Sequence, residues 1–272
     1  MMESKAIRNV AVFLGSAESP VPEFRQAAVD LADYLADHDM TLIFGGSSTG
    51  IMKILADAML RRHGRVIGVF TRCLPEKLLR NDLTGSVITE TLAERKEEML
   101  KRADAVIALP GSIGTLDELF DALAQRKIGA IHCPIGVLNV NGFFDPLFAL
   151  LRNSVEAGFT SVWASSLLRC GGTPEELFRE LNNCMKNPTW DDKLIFEAAF
   201  IRDYEFMIRF KDQRLKLVDI EPYINRHRKM FYPIISNQDL LKDFHYDSIE
   251  LYWDDIMGIE AQTLYDMGKD ID

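Results

Sequence analysis

The feature that most constrains this chain is an alternation, from residue 9 to about 184, of short apolar runs with longer amphipathic stretches. Asn9-Val-Ala-Val-Phe-Leu-Gly15 reads as a buried strand, followed by a helical stretch from Pro22 to His38. Met40-Thr-Leu-Ile-Phe44 leads into Gly45-Gly-Ser-Ser-Thr-Gly50 and a helix from about Ile51 to Arg62. Further strands are expected at 65–70, 105–109 and 134–140, and further helices at 92–103, 115–127 and 145–157. Thr173 is placed to cap a last helix running through Asn183. Strands that are apolar at every position, not every second one, are buried on both faces. With helices between them they predict an α/β fold, a doubly wound parallel sheet with helices on both faces.

The pattern changes after Asn187-Pro188. Residues 187–272 carry −7 of the chain's net charge of −10, and 14 of its 26 aromatic residues, among them Trp190, Phe206, Phe210 and Trp253. So aromatic a segment does not stay solvated. Phe196, Phe200, Tyr204 and Met207 suit a helix packed on the core or on another subunit. The expected organisation is a nucleotide-binding domain over 8–187 and an appended, mainly helical segment over 188–272.

The acidic balance argues against a protein that tracks a nucleic-acid polymer, which needs a broad positive surface. A small phosphorylated ligand needs only one local anion site. No run of about 18 apolar residues is present, so no membrane span is expected. Met1–Arg8 holds Glu3 and no apolar run, so no secretory signal is expected either. Cys73, Cys133, Cys170 and Cys184 lie far apart with no C-x-x-C pair, which predicts buried thiols in the cytoplasm and not a zinc site or disulfide framework.

Both glycine-rich segments fall between a strand end and a helix start, where ligands gather in such sheets. In Leu109-Pro-Gly-Ser-Ile-Gly-Thr-Leu-Asp-Glu118, Gly111 and Gly114 allow close backbone approach. The free N–H groups of the first helical turn, with Thr115, then make an anion pocket. The plainer alternative is a turn in which Thr115 is the N-cap and Glu118 closes a capping box. Gly45–Gly50 has the same architecture; no G-K-[ST] follows it and its spacing is not G-x-G-x-x-G. Arg95 and Lys96 open a helix, where cations oppose the dipole unless something anionic lies near. Pairing with Glu94, Glu97 and Glu98 on a solvated face is the plainer alternative there.

Three segments together, Gly45-Gly-Ser-Ser-Thr-Gly50-Ile-Met52, Glu94-Arg95-Lys96-Glu-Glu-Met99 and Pro110-Gly-Ser-Ile-Gly-Thr-Leu-Asp-Glu118, resemble the signatures of the LOG ("Lonely Guy") family. Its members are cytokinin riboside 5′-monophosphate phosphoribohydrolases, long labelled lysine decarboxylases. The likeness covers residues about 8 to 184. It implies a Rossmann-like homodimer, or a higher homo-oligomer, that hydrolyses the N-glycosidic bond of a nucleoside 5′-monophosphate such as AMP. No cofactor and no metal is implied. Decarboxylation of lysine instead needs pyridoxal phosphate joined to a lysine, whereas these motifs supply a phosphate nest.

Carried over position by position, the resemblance makes Arg95 and Glu118 the catalytic pair. Gly111, Gly114 and Thr115 would hold the phosphate, with Gly45, Gly46, Gly50, Met52, Lys96 and Met99 completing the substrate site. Two departures stand out: Ser47 and Ser112 occupy positions that are glycine in the family pattern. Were either at positive φ, serine would cost about 1 kcal/mol of strain. These serines and the long tail motivate an alternative, a nucleotide-binding or sensing protein that uses the same pocket without turnover.

Overall fold

A computed structural model describes residues 6–157, 159–160, 162–186, 193–253 and 257–271. Trp190 therefore lies outside the described residues. The chain divides into two compact units, Met1–Asn187 and Pro188–Asp272.

The first unit runs β1 (Asn9–Phe13), α1 (Pro22–Asp37), β2 (Thr41–Phe44), α2 (Gly50–Arg61), β3 (Arg65–Thr71) and β4 (Gly85–Thr89). It continues with α3 (Leu92–Arg102), β5 (Ala105–Ala108), α4 (Ile113–Lys127), β6 (Ile135–Leu138), α5 (Asp145–Glu156), α6 (Val162–Ser166), β7 (Leu168–Gly171) and α7 (Pro174–Lys186). The seven strands form one parallel sheet in the order β4-β3-β2-β1-β5-β6-β7. β1, β2, β5 and β6 are buried almost throughout, as their unbroken apolar sequences require. Two apolar cores result, one beneath α1, α2 and α7 and one beneath α3, α4 and α5. This is the expected doubly wound sheet. The strand order reverses at β1, which pairs with both β2 and β5. A crevice outside the carboxyl ends of the strands at such a switch point is where α/β sheets bind ligands.

The predicted helix through Asn183 starts as expected: the Thr173 hydroxyl accepts from Glu176 N–H at 3.3 Å. The cysteines correct one expectation. Cys73 and Cys170 are exposed and Cys133 and Cys184 half-buried; Cys73 follows β3 in a loop, Cys170 lies on the edge strand β7, and Cys133, in the loop before β6, packs only partly buried against the core beneath α3, α4 and α5.

The second unit corrects another. It is built mainly on antiparallel sheet, not on helix. β8 (Ile195–Arg202), β9 (Glu205–Phe210) and β10 (Leu215–Asp219) are followed by α8 (Glu221–Arg226) and α9 (Tyr232–Ser236). Then come β11 (His245–Tyr246), β12 (Glu250–Tyr252), β13 (Gly258–Glu260), α10 (Ala261–Met267) and β14 (Lys269–Asp270). One sheet has the order β14-β10-β9-β8, a second β11-β12-β13. Phe206, Ile208 and Phe210 are fully buried at every second position of β9, a strand period. Phe196 falls at a register irregularity of β8, between Ile195 and Glu197, and is exposed, while Phe200 is half-buried. Arg226-His-Arg-Lys229, the basic cluster at the end of α8, is a surface feature.

Candidate active site

Three loops converge beyond the carboxyl edge of the sheet: 14–17 after β1, 45–49 after β2 and 109–112 after β5. Leu109 N–H donates to Phe13 O at 2.9 Å, and Met52 N–H to Gly15 O at 3.3 Å, tying all three to β1. The packing admits no side chains at the crossings. A β-carbon on Gly111 would overlap the Thr115 hydroxyl and come within 2.9 Å of Gly15 N. One on Gly50 would run into the carbonyl of Ser16. Gly46 and Gly50 also have φ of +71° and +58°, where L-residues are strained.

Neither Ser47 nor Ser112 has a positive φ; Ser112 sits at −95° as the N-cap of α4. The strain that serine would bring to a left-handed position therefore does not arise at either. Helix α4 begins at Ile113, so Thr115 lies within its first turn and is not its cap. That excludes the capping-box alternative, and Glu118 does not reach back to the helix start. Thr115 is 2% exposed, and its hydroxyl has no hydrogen-bond partner among the described residues. A buried hydroxyl left unsatisfied costs about 1–3 kcal/mol, so an acceptor delivered to this turn would recover that cost.

Arg95 enters from α3. Thr91 caps this helix by accepting from Glu94 N–H at 3.1 Å, while the Glu94 carboxylate accepts from Glu90 N–H at 2.9 Å. The Arg95 side chain is buried. Its Nε–H donates to Val69 O at 2.9 Å and its Nη1 to Glu118 Oε1 at 2.7 Å. Glu118 is 6% exposed. Burial pushes its carboxyl above the ordinary carboxylate range, while the Arg95 guanidinium pulls in the opposite direction. A dry ion pair therefore stands beside two glycine loops and a helix start.

A family model described as "Possible lysine decarboxylase" matches residues 52–181. Cytokinin riboside 5′-monophosphate phosphoribohydrolase LOG3 of Arabidopsis thaliana is 35% identical over 185 residues, 66% of this chain and 84% of that one. LOG7 of the same plant, which bears the same enzyme name, is 32% identical over 208 residues, covering 73% of this chain and 93% of its own. This chain belongs to the LOG family. Among solved structures, a molybdenum cofactor binding protein from the phototrophic bacterium Rippkaea orientalis shares the fold, with a TM-score of 0.51 at 21% identity over 65% of this chain and 97% of that one.

Of the residues that the LOG signatures single out, the structure brings Arg95, Glu118, Gly45, Gly46, Gly50, Met52, Gly111, Gly114 and Thr115 to one edge. Met52 is buried on the first turn of α2, and its Cε would meet a β-carbon of Gly45 at 3.3 Å. Lys96 turns to α4, where Asp117 holds it at 3.1 Å and Asp121 at 3.7 Å. Met99 is fully buried in the core with Leu100 and Leu119. The anionic partners of the two cations thus come from the neighbouring helix, not from the glutamates of α3; Glu98 pairs with Arg102. The motif reading missed Gly15 and Ser16 as parts of the site, and Val69 as the carbonyl that anchors Arg95. A strand ending in Gly-Ser at the switch point is the signal for the first two. A backbone acceptor leaves none.

Proposed function

We propose that this protein hydrolyses the N-glycosidic bond of a nucleoside 5′-monophosphate, AMP or a cytokinin riboside monophosphate, to free base and ribose 5-phosphate. The observation that carries the reading is the buried Arg95–Glu118 pair set one turn from an unpartnered Thr115 hydroxyl at the start of α4. Membership of the LOG family, whose relatives bear that enzyme name, supports it.

In this reading the phosphate lies on the N–H groups at the start of α4 and accepts from Thr115, as anions do at helix N-termini. The ribose then faces Glu118. As the bond from C1′ to the base nitrogen breaks, its electron pair leaves with the base and positive charge grows on the sugar. The Glu118 carboxylate stabilises that charge and orients the attacking water. The water oxygen bonds to C1′, and one water proton ends on the departing base. Arg95 holds the carboxylate in place. This chemistry belongs to residues 8–187, and no residue of 188–272 is assigned a part in it.

The alternative without turnover draws on Ser47 and Ser112, and the negative φ of both takes away its strain argument. We assign a homodimer on the family likeness and on Ile113 and Phe120, apolar residues left exposed on α4. Cytoplasmic residence is supported by the four free thiols. The deciding experiment incubates the protein with a panel of nucleoside monophosphates and assays ribose 5-phosphate and base. Saturable binding in calorimetry with no base released would favour the sensing alternative instead.

A further inference from the structure

Arg80 is a buried cation that the chemistry above does not use. Its side chain is 9% exposed and engaged on every side. Nε and Nη2 donate to the two carboxylate oxygens of Asp82 at 2.6 and 2.8 Å, and Nη2 also lies 2.5 Å from Asp57 Oδ1. Nη1 donates to Lys53 O at 3.3 Å. Asp57 and Lys53 belong to α2, so the guanidinium bolts segment 78–82 to the helix that the glycine loop opens.

The backbone of the same segment is zipped to that loop. Arg80 N–H donates to Gly46 O at 3.1 Å, Ser48 N–H to Leu78 O at 2.8 Å, and Ser47 pairs with Leu79 in an antiparallel bridge. On its other side the loop is held by two longer backbone bonds, Ile51 N–H to Ala17 O at 3.4 Å and Met52 N–H to Gly15 O at 3.3 Å, and by the Thr49 hydroxyl, which donates to Ser16 O at 3.1 Å. A loop with glycine at two left-handed positions has much freedom to lose, so it needs an outside brace. The brace matters because Gly45 is the wall against which the Arg95 guanidinium rests. A shift of the loop is a shift of that wall.

We propose that Arg80 is a positioning residue for base release, acting through the Gly45–Gly50 loop on Arg95. Only a planar fork reaches two carboxylates and a carbonyl at once, so lysine does not replace it. The kinetic arm of the test rests on the hydrolase reading; the spectroscopic arm does not.

The experiment compares Arg80→Lys and Arg80→Gln with the wild-type chain and with Arg72→Lys, an exposed arginine paired with Glu90. Steady-state kinetics should show kcat lower by about tenfold or more in both Arg80 variants, since small misplacements near the chemistry are expensive. KM should change by less than about threefold, and Arg72→Lys should match wild type. In parallel, the Arg95 Nε–H resonance, identified by its loss in Arg95→Lys, reports the bond to Val69 O directly. Its hydrogen exchange should quicken by about tenfold in the Arg80 variants. Wild-type kcat per folded molecule, or an Arg95 signal that exchanges as in wild type, overturns the proposal. If the wild-type chain releases no base, the hydrolase reading fails, and the Arg95 signal alone decides this one. Should both Arg80 variants fail to fold, Asp57→Asn loosens the hold on α2 while sparing the Arg80–Asp82 fork, and it takes the same two readouts.

Discussion

Gly45 has no side chain where Arg95 needs room: a β-carbon on Gly45 would occupy the space of the Arg95 Nη2 atom. The φ of Gly45 is not positive, so the demand here is for space and not for backbone freedom. Gly45→Ala should therefore drive the guanidinium off Glu118 and crowd Met52. We expect kcat/KM to fall about 100-fold, with a stability loss of about 1–3 kcal/mol from overpacking. Kinetics alongside thermal melts check both; wild-type kinetics in a folded Gly45→Ala protein would show that the contact is not functional.

Glu118 gives a pH dependence with a definite sign. The carboxylate is the working form, and burial raises its pKa in the folded protein. Activity should therefore fall as pH drops, with the acidic limb of kcat/KM above the ordinary glutamate value of about 4.3. Asp117 raises this pKa and Lys96 lowers it, so Asp117→Asn should move the limb to lower pH and Lys96→Gln to higher pH. Both groups are partly solvated, so the shifts should be small and shrink in high salt. Glu118→Gln should lose about 10²- to 10⁴-fold in base release while still binding the monophosphate.

The first unit was legible because its strands are apolar at every position, a pattern that a surface helix does not produce. β4 escaped notice for the same reason in reverse. Gly85-Ser-Val-Ile-Thr89 lies at the sheet edge, half-exposed along its length, and shows no continuous apolar run. In the second unit three aromatics at four-residue spacing, Phe196, Phe200 and Tyr204, imitate a helix, while the real signal is the period-two burial of Phe206, Ile208 and Phe210. The turn between β8 and β9 rests on Asp203 at φ +47°, a residue type that tolerates the left-handed region. At the site, the side chains were legible from motif and chemistry. The start of α4 was not, since Ile113-Gly114 does not announce a helix and Thr115 resembles a cap.

Gly111 and Gly114 belong to one motif but should behave differently. A methyl on Gly111 meets Thr115 and the Gly15 backbone, whereas one on Gly114 meets nothing within 4 Å. Gly111→Ala should destabilise the fold by about 1–3 kcal/mol through overpacking. Gly114→Ala should melt at or slightly above the wild-type temperature, because alanine suits a helix better than glycine. If the open space over Gly114 is where phosphate approaches, that same variant should bind ribose 5-phosphate about tenfold more weakly in calorimetry. Undiminished binding would move the phosphate away from this turn.

Thr115 separates stability from function most sharply. Its hydroxyl is buried and has no partner among the described residues, so it costs stability that a methyl of the same shape would not. Thr115→Val should therefore raise the stability of the free protein, by about 1 kcal/mol or more, while removing a donor to the phosphate. The expected pair of results is a higher melting temperature and a monophosphate affinity lower by about tenfold, with affinity for the unphosphorylated nucleoside unchanged. A variant both less stable and unaltered in affinity would mean that the hydroxyl has a partner in the fold and no role toward the ligand.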